Sequence, residues 1–302
     1  MASRLERFLE RERGRIESVL HDVLPPATAK PVSVHRAMRY AVLSGGKRIR
    51  PVLSVLGYRA CGGRGEAVYS AGAAIELIHN FTLIHDDLPC MDDDELRRGR
   101  PTVHVRFGEA VALLAGDALL SLAFELVASL GVSRRVSPET ATAVTFEIAR
   151  ATGTRGVVGG QVVDMESEGK RVPLGTVRYI HARKTGALIA CSLRVGGLLA
   201  GAGSRKMDAL TVYGERLGLA FQIVDDIRDV SASAQELGKT KARDAERAKA
   251  TYPRVVGTAR SLKRARTLAE EAKREATHFG AHDTYFCELA DYVVRRAVLR
   301  ER

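Results

Sequence analysis

The sequence predicts a single all-α domain over residues 1–302, and three observations carry that prediction. Ala, Arg and Leu are the commonest residues of a chain whose hydrophobic share is 45%, which favours helix by intrinsic propensity and can fill a large core. Apolar residues recur at three- and four-residue spacing from end to end. No Val-rich alternating segment marks a strand, and no Ser/Gly or Pro tract divides the chain into unlike halves.

The elements follow in order. Leu5, Phe8, Leu9, Ile16, Val19 and Leu20 form a first helical stripe, stopped by Pro25-Pro26. A second helix starts near Ser33, carries Val34, Met38, Val42 and Leu43 on one face, and ends at Ser44-Gly45-Gly46, a glycine C-cap pattern. Pro51 suits the first turn of a third helix ending near Cys61-Gly62-Gly63. From about Glu66 to Leu88 the chain is apolar almost all round, so this helix belongs in the middle of the bundle. A second such segment spans about 108–130, and further helices are expected near 138–167, 173–199, 204–230, 252–277 and 283–300.

Composition removes several classes of function. The net charge is +11, yet the basic residues are spread along the chain and Trp is absent, which argues against nucleic-acid binding. A solvated basic surface explains most of the excess, with a subset of cations left to face phosphates. Cys61, Cys90, Cys191 and Cys287 show no metal or redox spacing and suit a reducing compartment. No secretory apolar region follows Met1, and the longest apolar stretch, Ala110 to Leu130, carries Asp117 and Glu125, which argues against a membrane span. A cytoplasmic protein is expected. Gly45-Gly46-Lys47 lacks the first glycine and the Ser/Thr of a nucleotide P-loop. Gly153, Gly156, Gly159 and Gly160 follow no strand and read as close helix packing. Gln161 and Asp164, three apart, would share a helix face.

Two acidic clusters carry the chemistry. Asp225, Asp226 and Asp229 stand at i, i+1 and i+4 among Phe221, Ile223, Val224 and Ile227, so three carboxylates would crowd one side of an apolar helix. Buried bare carboxylates are very costly, and a hard dication with oxygen ligands removes that cost. The other reading, a solvated first turn stabilised by the helix dipole, needs a cap that Gly218-Leu219-Ala220 does not supply. Asp86, Asp87 and Asp92 form the second cluster, and Pro89 can break the helix so that Asp92 swings back; Asp93, Asp94 and Glu95 are expected to be solvated neighbours. Magnesium prefers one or two carboxylates plus substrate phosphates, so two facing clusters would hold metal when a diphosphate bridges them. The cations for that diphosphate are Lys47, Arg50, Arg97, Arg98, Lys184 beside Thr185, Lys239 beside Thr240, and Lys249. His79, alone on an apolar helix, reads as a core histidine.

With these residues in view, the sequence resembles the trans-isoprenyl (polyprenyl) diphosphate synthases. The matching blocks are Gly45 to Pro51, Glu76 to Thr102, Gly116 to Leu120, Gly160-Gln161 with Asp164, Lys184-Thr185, Phe221 to Asp229 and Leu237 to Thr240. The resemblance implies an all-α isoprenoid-synthase bundle around a deep central cavity, a homodimer, and three magnesium ions per site. It assigns metal binding to Asp86, Asp87, Asp92, Asp225, Asp226 and Asp229. The isopentenyl diphosphate site would be Lys47, Arg50, His79 and Arg98; the allylic diphosphate site would be Arg97, Lys184, Thr185, Gln222 and Lys239. The family often has Gly-Lys-Asp after its second motif, where this chain has Lys241-Ala242-Arg243-Asp244, so no role passes to Lys249.

The implied reaction is head-to-tail condensation of isopentenyl diphosphate with an allylic primer. Phe81 lies about 7.5 Å along a helix before Asp86, with Thr82 one residue closer, and bulk there would set the floor for a growing chain. Phe81 and the insertion Pro89-Cys90 resemble farnesyl diphosphate synthases, so a C15 product is expected. The Leu-Pro-Cys-Met-Asp wording is shared with geranylgeranyl diphosphate synthases, the alternative. A terpene cyclase or a regulatory subunit of a heteromeric synthase is a more distant reading. The Gly-Gly-Lys and Arg-Arg pairs argue against the first, and two intact aspartate motifs without a CxxxC pair against the second.

Overall fold

A computed structural model describes residues 3–233 and 249–297, the side chains of 231–233 apart. Lys239 and Thr240 lie outside the described residues. Helix α1 (Arg4–Val23) opens on a capping box between Ser3 and Glu6. It is followed by α2 (Val32–Val42), α3 (Ile49–Ala60) and α4 (Ala67–Asp86). After a loop come α5 (Val103–Phe107), α6 (Glu109–Val132), α7 (Pro138–Thr152), α8 (Val157–Glu166), α9 (Leu174–Ile180), α10 (Ala187–Leu199) and α11 (Ser204–Ser233). The chain closes with α12 (Tyr252–Val256), α13 (Thr258–Ala276) and α14 (Asp283–Arg295).

The apolar helix expected in the middle is there. In α4, 14 of 20 residues are buried, because α3 and α6 flank it while α1, α2 and α10 pack around its remaining sides. Each fully buried Ile or Leu along it, such as Ile75, Leu77 and Ile78, contributes about 1.5–3 kcal/mol over exposure. On the far side α10 packs on α3 and α11, and α11 on α13.

Four local departures from the expected helices bear on the site. The segment expected to be wholly helical from 138 to 167 breaks between Thr152 and Val157, around its glycines. The segment 173–199 contains a π-helical stretch, His181–Gly186, between α9 and α10. The last helix but one divides at Gly257 (φ 82°), which caps α12 and starts α13. Finally, where no strand was expected, Leu96–Arg97 and Arg100–Pro101 pair antiparallel, Leu96 opposite Pro101 and Arg97 opposite Arg100. Gly99 (φ 72°) and Arg98 (φ 55°) turn this two-residue hairpin, too short for any alternating pattern to announce it.

Candidate active site

The first acidic cluster is built by the end of α4. Leu88 accepts from the amides of Met91 (2.8 Å) and Asp93 (3.0 Å), and the Asp92 N–H donates to the Asp86 carbonyl at 2.8 Å. The chain thus turns back past Pro89 and returns Asp92 to the helix end, as the break predicts. Burial pushes the Asp86 carboxyl up to about 6, with Asp92 and Asp87 adding to the rise and Lys184 and Arg97 opposing it. Asp87 behaves differently. It is 3% exposed, and Arg97 Nε donates to both its oxygens, at 2.8 and 2.9 Å. Burial raises its pKa while Arg97 lowers it. Asp92 sits 3.4 Å from Lys249 Nζ.

The second cluster projects from α11. Asp225 is half-buried and pushed up to about 6, chiefly by burial, while Arg296 Nη2 lies 3.3 Å away. Asp226 is 4% exposed and fully engaged. The Tyr252 N–H donates to its Oδ2 at 2.7 Å, His181 Nε2 stands 3.1 Å from the same oxygen, and Gln222 Nε2 donates to Oδ1 at 3.1 Å. Asp229 is exposed, so the triad is not uniformly buried as its apolar neighbours suggested. The face turns toward solvent over its last turn. Asp87 and Asp226 have both oxygens in protein hydrogen bonds, which sets them apart from Asp86 and Asp225.

The π stretch explains the next pair. Its extra residue per turn aims Lys184 Nζ at Asp164 Oδ2 (2.8 Å) while Thr185 Oγ1 donates to Gln222 Oε1 (2.6 Å). Asp164, then Asp86 among its acidic neighbours, raises Lys184 against the opposing effect of burial. Gly160 makes this possible, because a Cβ there would sit 2.3 Å from the Lys184 backbone nitrogen. Gln161 shares that helix, and its Oε1 is buried with no hydrogen-bond partner among the described residues.

The cationic side forms around the turn before α3. Arg48, left-handed at φ 49°, is buried and pairs with Glu17 and Glu76, each at 2.8 Å, which fixes the Gly45-Gly46 turn. Arg98 of the hairpin donates to the Gly45 carbonyl. Arg50 Nη1 donates to His79 Nε2 at 3.2 Å, which places the ring proton on Nδ1. Burial, then Arg50 and Arg98, pull His79 well below its ordinary pKa, so it is neutral. Burial lowers Arg50 too, and its Nε is buried without a hydrogen-bond partner among the described residues. His79 thus belongs to a cationic cluster rather than to an inert core, while Lys47 is exposed.

Phe81 is 9% exposed and meets the His85 ring edge-on at 4.8 Å. Thr82 Oγ1 donates to the His79 carbonyl at 2.8 Å. Sequence reasoning missed Arg296, which spans Asp225 and the Phe221 ring (4.7 Å), and it missed His181 and the Tyr252 amide. The pair Arg295-Arg296 looks like an ordinary solvated helix end, and a backbone donor leaves no mark in a sequence.

The donor set suits a hard divalent cation. Two half-buried carboxylates, Asp86 and Asp225, hold their protons up to about 6 because burial outweighs the cations beside them, a cost that a hard divalent cation would remove. Among the described residues no three His, Cys, Asp or Glu side chains converge as a ready cage. The orphaned Arg50 Nε lies on the cationic side.

Comparison with known proteins adds the following. A family profile described as polyprenyl synthetase matches residues 31–285. A geranylgeranyl diphosphate synthase of Cyanophora paradoxa is 40% identical over 290 residues, 96% of this chain and 95% of that protein. The large subunit 1 of a heterodimeric geranylgeranyl pyrophosphate synthase of Arabidopsis thaliana is 45% identical over 271 residues, covering 88% and 73%. The apo crystal structure of an FPP/GFPP synthase from Zymomonas mobilis superimposes with a TM-score of 0.86 at 35% identity, covering 97% of this chain and all of that one.

Proposed function

The chain belongs to the polyprenyl synthetase family, and from that premise we propose how this site carries out head-to-tail prenyl transfer and how long its product is. It is a short-chain trans-prenyltransferase condensing isopentenyl diphosphate with an allylic diphosphate. The observation that carries the assignment of roles is the Lys184-Thr185 pair, which touches both acid clusters: Lys184 Nζ lies 2.8 Å from Asp164 and has its pKa raised by Asp86 and Asp92 as well, while Thr185 Oγ1 donates to Gln222, which in turn donates to Asp226.

The fit of the carboxylates supports magnesium bound by Asp86, Asp92, Asp225 and Asp229, with Asp87 and Asp226 acting as positioning residues. When bound, the metal supplies electrophilic stabilisation of the leaving diphosphate. Lys184 and Arg97 share that task, and Thr185 with Gln222 fixes the wall beside them. Lys239 keeps its expected role in the allylic site, though it lies outside the described residues. Lys47, Arg50 and Arg98 hold the isopentenyl diphosphate, and neutral His79 orients Arg50. The allylic C–O bond breaks with both electrons leaving on diphosphate. The isopentenyl double bond attacks the resulting cation, a C–C bond forms, and a proton passes from the adjacent carbon to a phosphate oxygen of the departed diphosphate. The apolar walls from α4 keep water from the cation.

For product length, the names of the relatives support geranylgeranyl diphosphate better than the farnesyl diphosphate expected from the sequence. Farnesyl diphosphate is the second reading, favoured by the bulk of Phe81. A second copy of the chain is part of the proposal, supported by the exposed apolar face of α6, where Leu113 and Leu114 are 46% and 54% exposed. A cytoplasmic location is supported by four free cysteines. The test is incubation with Mg2+, isopentenyl diphosphate and dimethylallyl, geranyl or farnesyl diphosphate, followed by chromatography of the products. A C20 product is expected, and no extension from any primer would overturn the reading.

A further inference from the structure

An open groove lies beside the hairpin, with Arg100 of the hairpin on its wall. It encloses about 440 Å³ between α2, α5 and the loop before α2, and is lined by Arg36, Arg39, Arg100 and Arg106 with Tyr40 and Phe107. No acidic side chain lines it. Three of the arginines, Arg39, Arg100 and Arg106, are held by neutral oxygens and rings, while Arg36 is exposed at the rim. Arg39 Nη1 donates to the carbonyls of Leu24 (3.0 Å) and His21 (3.3 Å), and Arg100 Nη1 donates to Ser44 Oγ (3.3 Å). Arg106 and Arg100 lie over the Tyr40 ring at 4.3 and 4.9 Å, and that ring meets Phe107 edge-on at 5.5 Å.

Four guanidinium groups at one concavity repel one another, and stacking on aromatic faces offsets only part of that. Stacking and hydrogen bonds restrict the motion of Arg39, Arg100 and Arg106, so those three lose little freedom when an anion arrives. Guanidinium forks match phosphate oxygens bidentately. Tyr40, Phe107 and Leu43 give the groove an apolar wall, which suits a headgroup carrying a hydrocarbon chain.

We propose that this groove is a second phosphate-binding site, separate from the reacting diphosphates, that takes a phosphate or diphosphate headgroup. The headgroup could be carried by a soluble diphosphate or by an anionic lipid; the chemistry is the same. The Tyr40 hydroxyl donates to the Pro101 carbonyl at 2.7 Å, so the ring under the bound anion is tied to the hairpin that presents Arg97 and Arg98.

The test uses the full chain, with inorganic pyrophosphate as the probe in calorimetric titration without metal. Arg36→Ser/Arg106→Ser is compared with wild type and with Lys184→Ala, turnover and melting temperature of the double variant serving as the control for folding. The double variant is expected to lose one class of sites or to bind there about tenfold or more weakly, while Lys184→Ala keeps it. Co-sedimentation with phosphatidylcholine vesicles, with and without phosphatidic acid, forms the second arm. Sedimentation that needs both phosphatidic acid and the two arginines identifies a lipid source; pyrophosphate binding without it identifies a soluble one. Equal pyrophosphate binding by wild type and the double variant, with no arginine-dependent sedimentation, overturns the proposal.

Discussion

Arg97 Nε sits 2.8 and 2.9 Å from the two oxygens of Asp87, tying the hairpin to the end of α4. Asp87 is buried, so removing the guanidinium strands a carboxylate. Breaking a fully buried pair costs about 3–5 kcal/mol; with the Arg97 side chain 34% exposed, water recovers part of this, and about 2 kcal/mol is expected for Arg97→Leu. Urea unfolding of the metal-free protein measures it. Arg97→Lys keeps the charge but not the fork and should recover only part of the loss. Full recovery would mean that charge alone matters.

Neighbouring aspartates on α11 should respond in opposite directions. Burial outweighs Arg296 at Asp225, so the ionised form is disfavoured in the folded protein. Asp225→Asn should therefore raise the metal-free melting temperature above about pH 6, while lowering turnover roughly 100-fold or more. Asp226→Asn puts an amide where the Tyr252 N–H and His181 converge, and it should destabilise by about 2 kcal/mol. Equal melting shifts of the same sign would remove the distinction between ligand and positioning residue.

The same shifts set a pH dependence. Folded Asp86 and Asp225 hold protons up to about 6, above the ordinary value of 3.8. The folded state then binds more protons than the unfolded chain between these values, so metal-free stability falls as pH rises through that window and levels off above it. A divalent cation binds the ionised pair. Magnesium should thus raise the melting temperature more at about pH 8 than at about pH 5, on either side of the Asp86 pKa of about 6. Differential scanning calorimetry at both values checks it; an equal shift would place the ion elsewhere.

Residue type and spacing announced the acid clusters, the Pro89 break and the central position of α4, because burial and helix periodicity are local properties of sequence. Other features were not local. The π turn at His181–Gly186 has no period of its own in the sequence; it packs between α8, where Gly160 and Asp164 meet Lys184, and α11, where Gln222 meets Thr185. Arg296 reaches Asp225 through tertiary packing alone. Asp87 and Asp226 look like their neighbours Asp86 and Asp225 in the sequence; a hairpin and a backbone amide distinguish them.

Gly160 offers a direct test of the π turn. A methyl group 2.3 Å from the Lys184 nitrogen meets backbone, which cannot give way as a flexible side chain can. Gly160→Ala should cost about 1–3 kcal/mol from overpacking. It should also lower kcat about tenfold or more by displacing Lys184 and Thr185. Gly159→Ala, where a Cβ would meet the Thr154 carbonyl at 1.9 Å instead of Lys184, brings overpacking of its own but should leave kcat for correctly folded protein closer to wild type. The two variants compared by melting and by single-turnover rate separate strain from positioning.

Product length tests the least determined part of the site. Phe81 is one helical turn and more before Asp86, packed against His85, and His85 in turn reaches the Leu113 carbonyl of α6 at 3.1 Å. The ring therefore fills space between the two apolar helices. Phe81→Ala opens that space at a cost of about 3–5 kcal/mol in stability. If the growing chain descends along α4, its products should gain one or more five-carbon units. Phe81→Leu, which keeps most of the volume, should shift the distribution less and stay better folded. Chromatography of products from each variant reads the outcome. Unchanged lengths from a folded Phe81→Ala protein would remove this residue from the account and leave the floor of the tunnel to another wall.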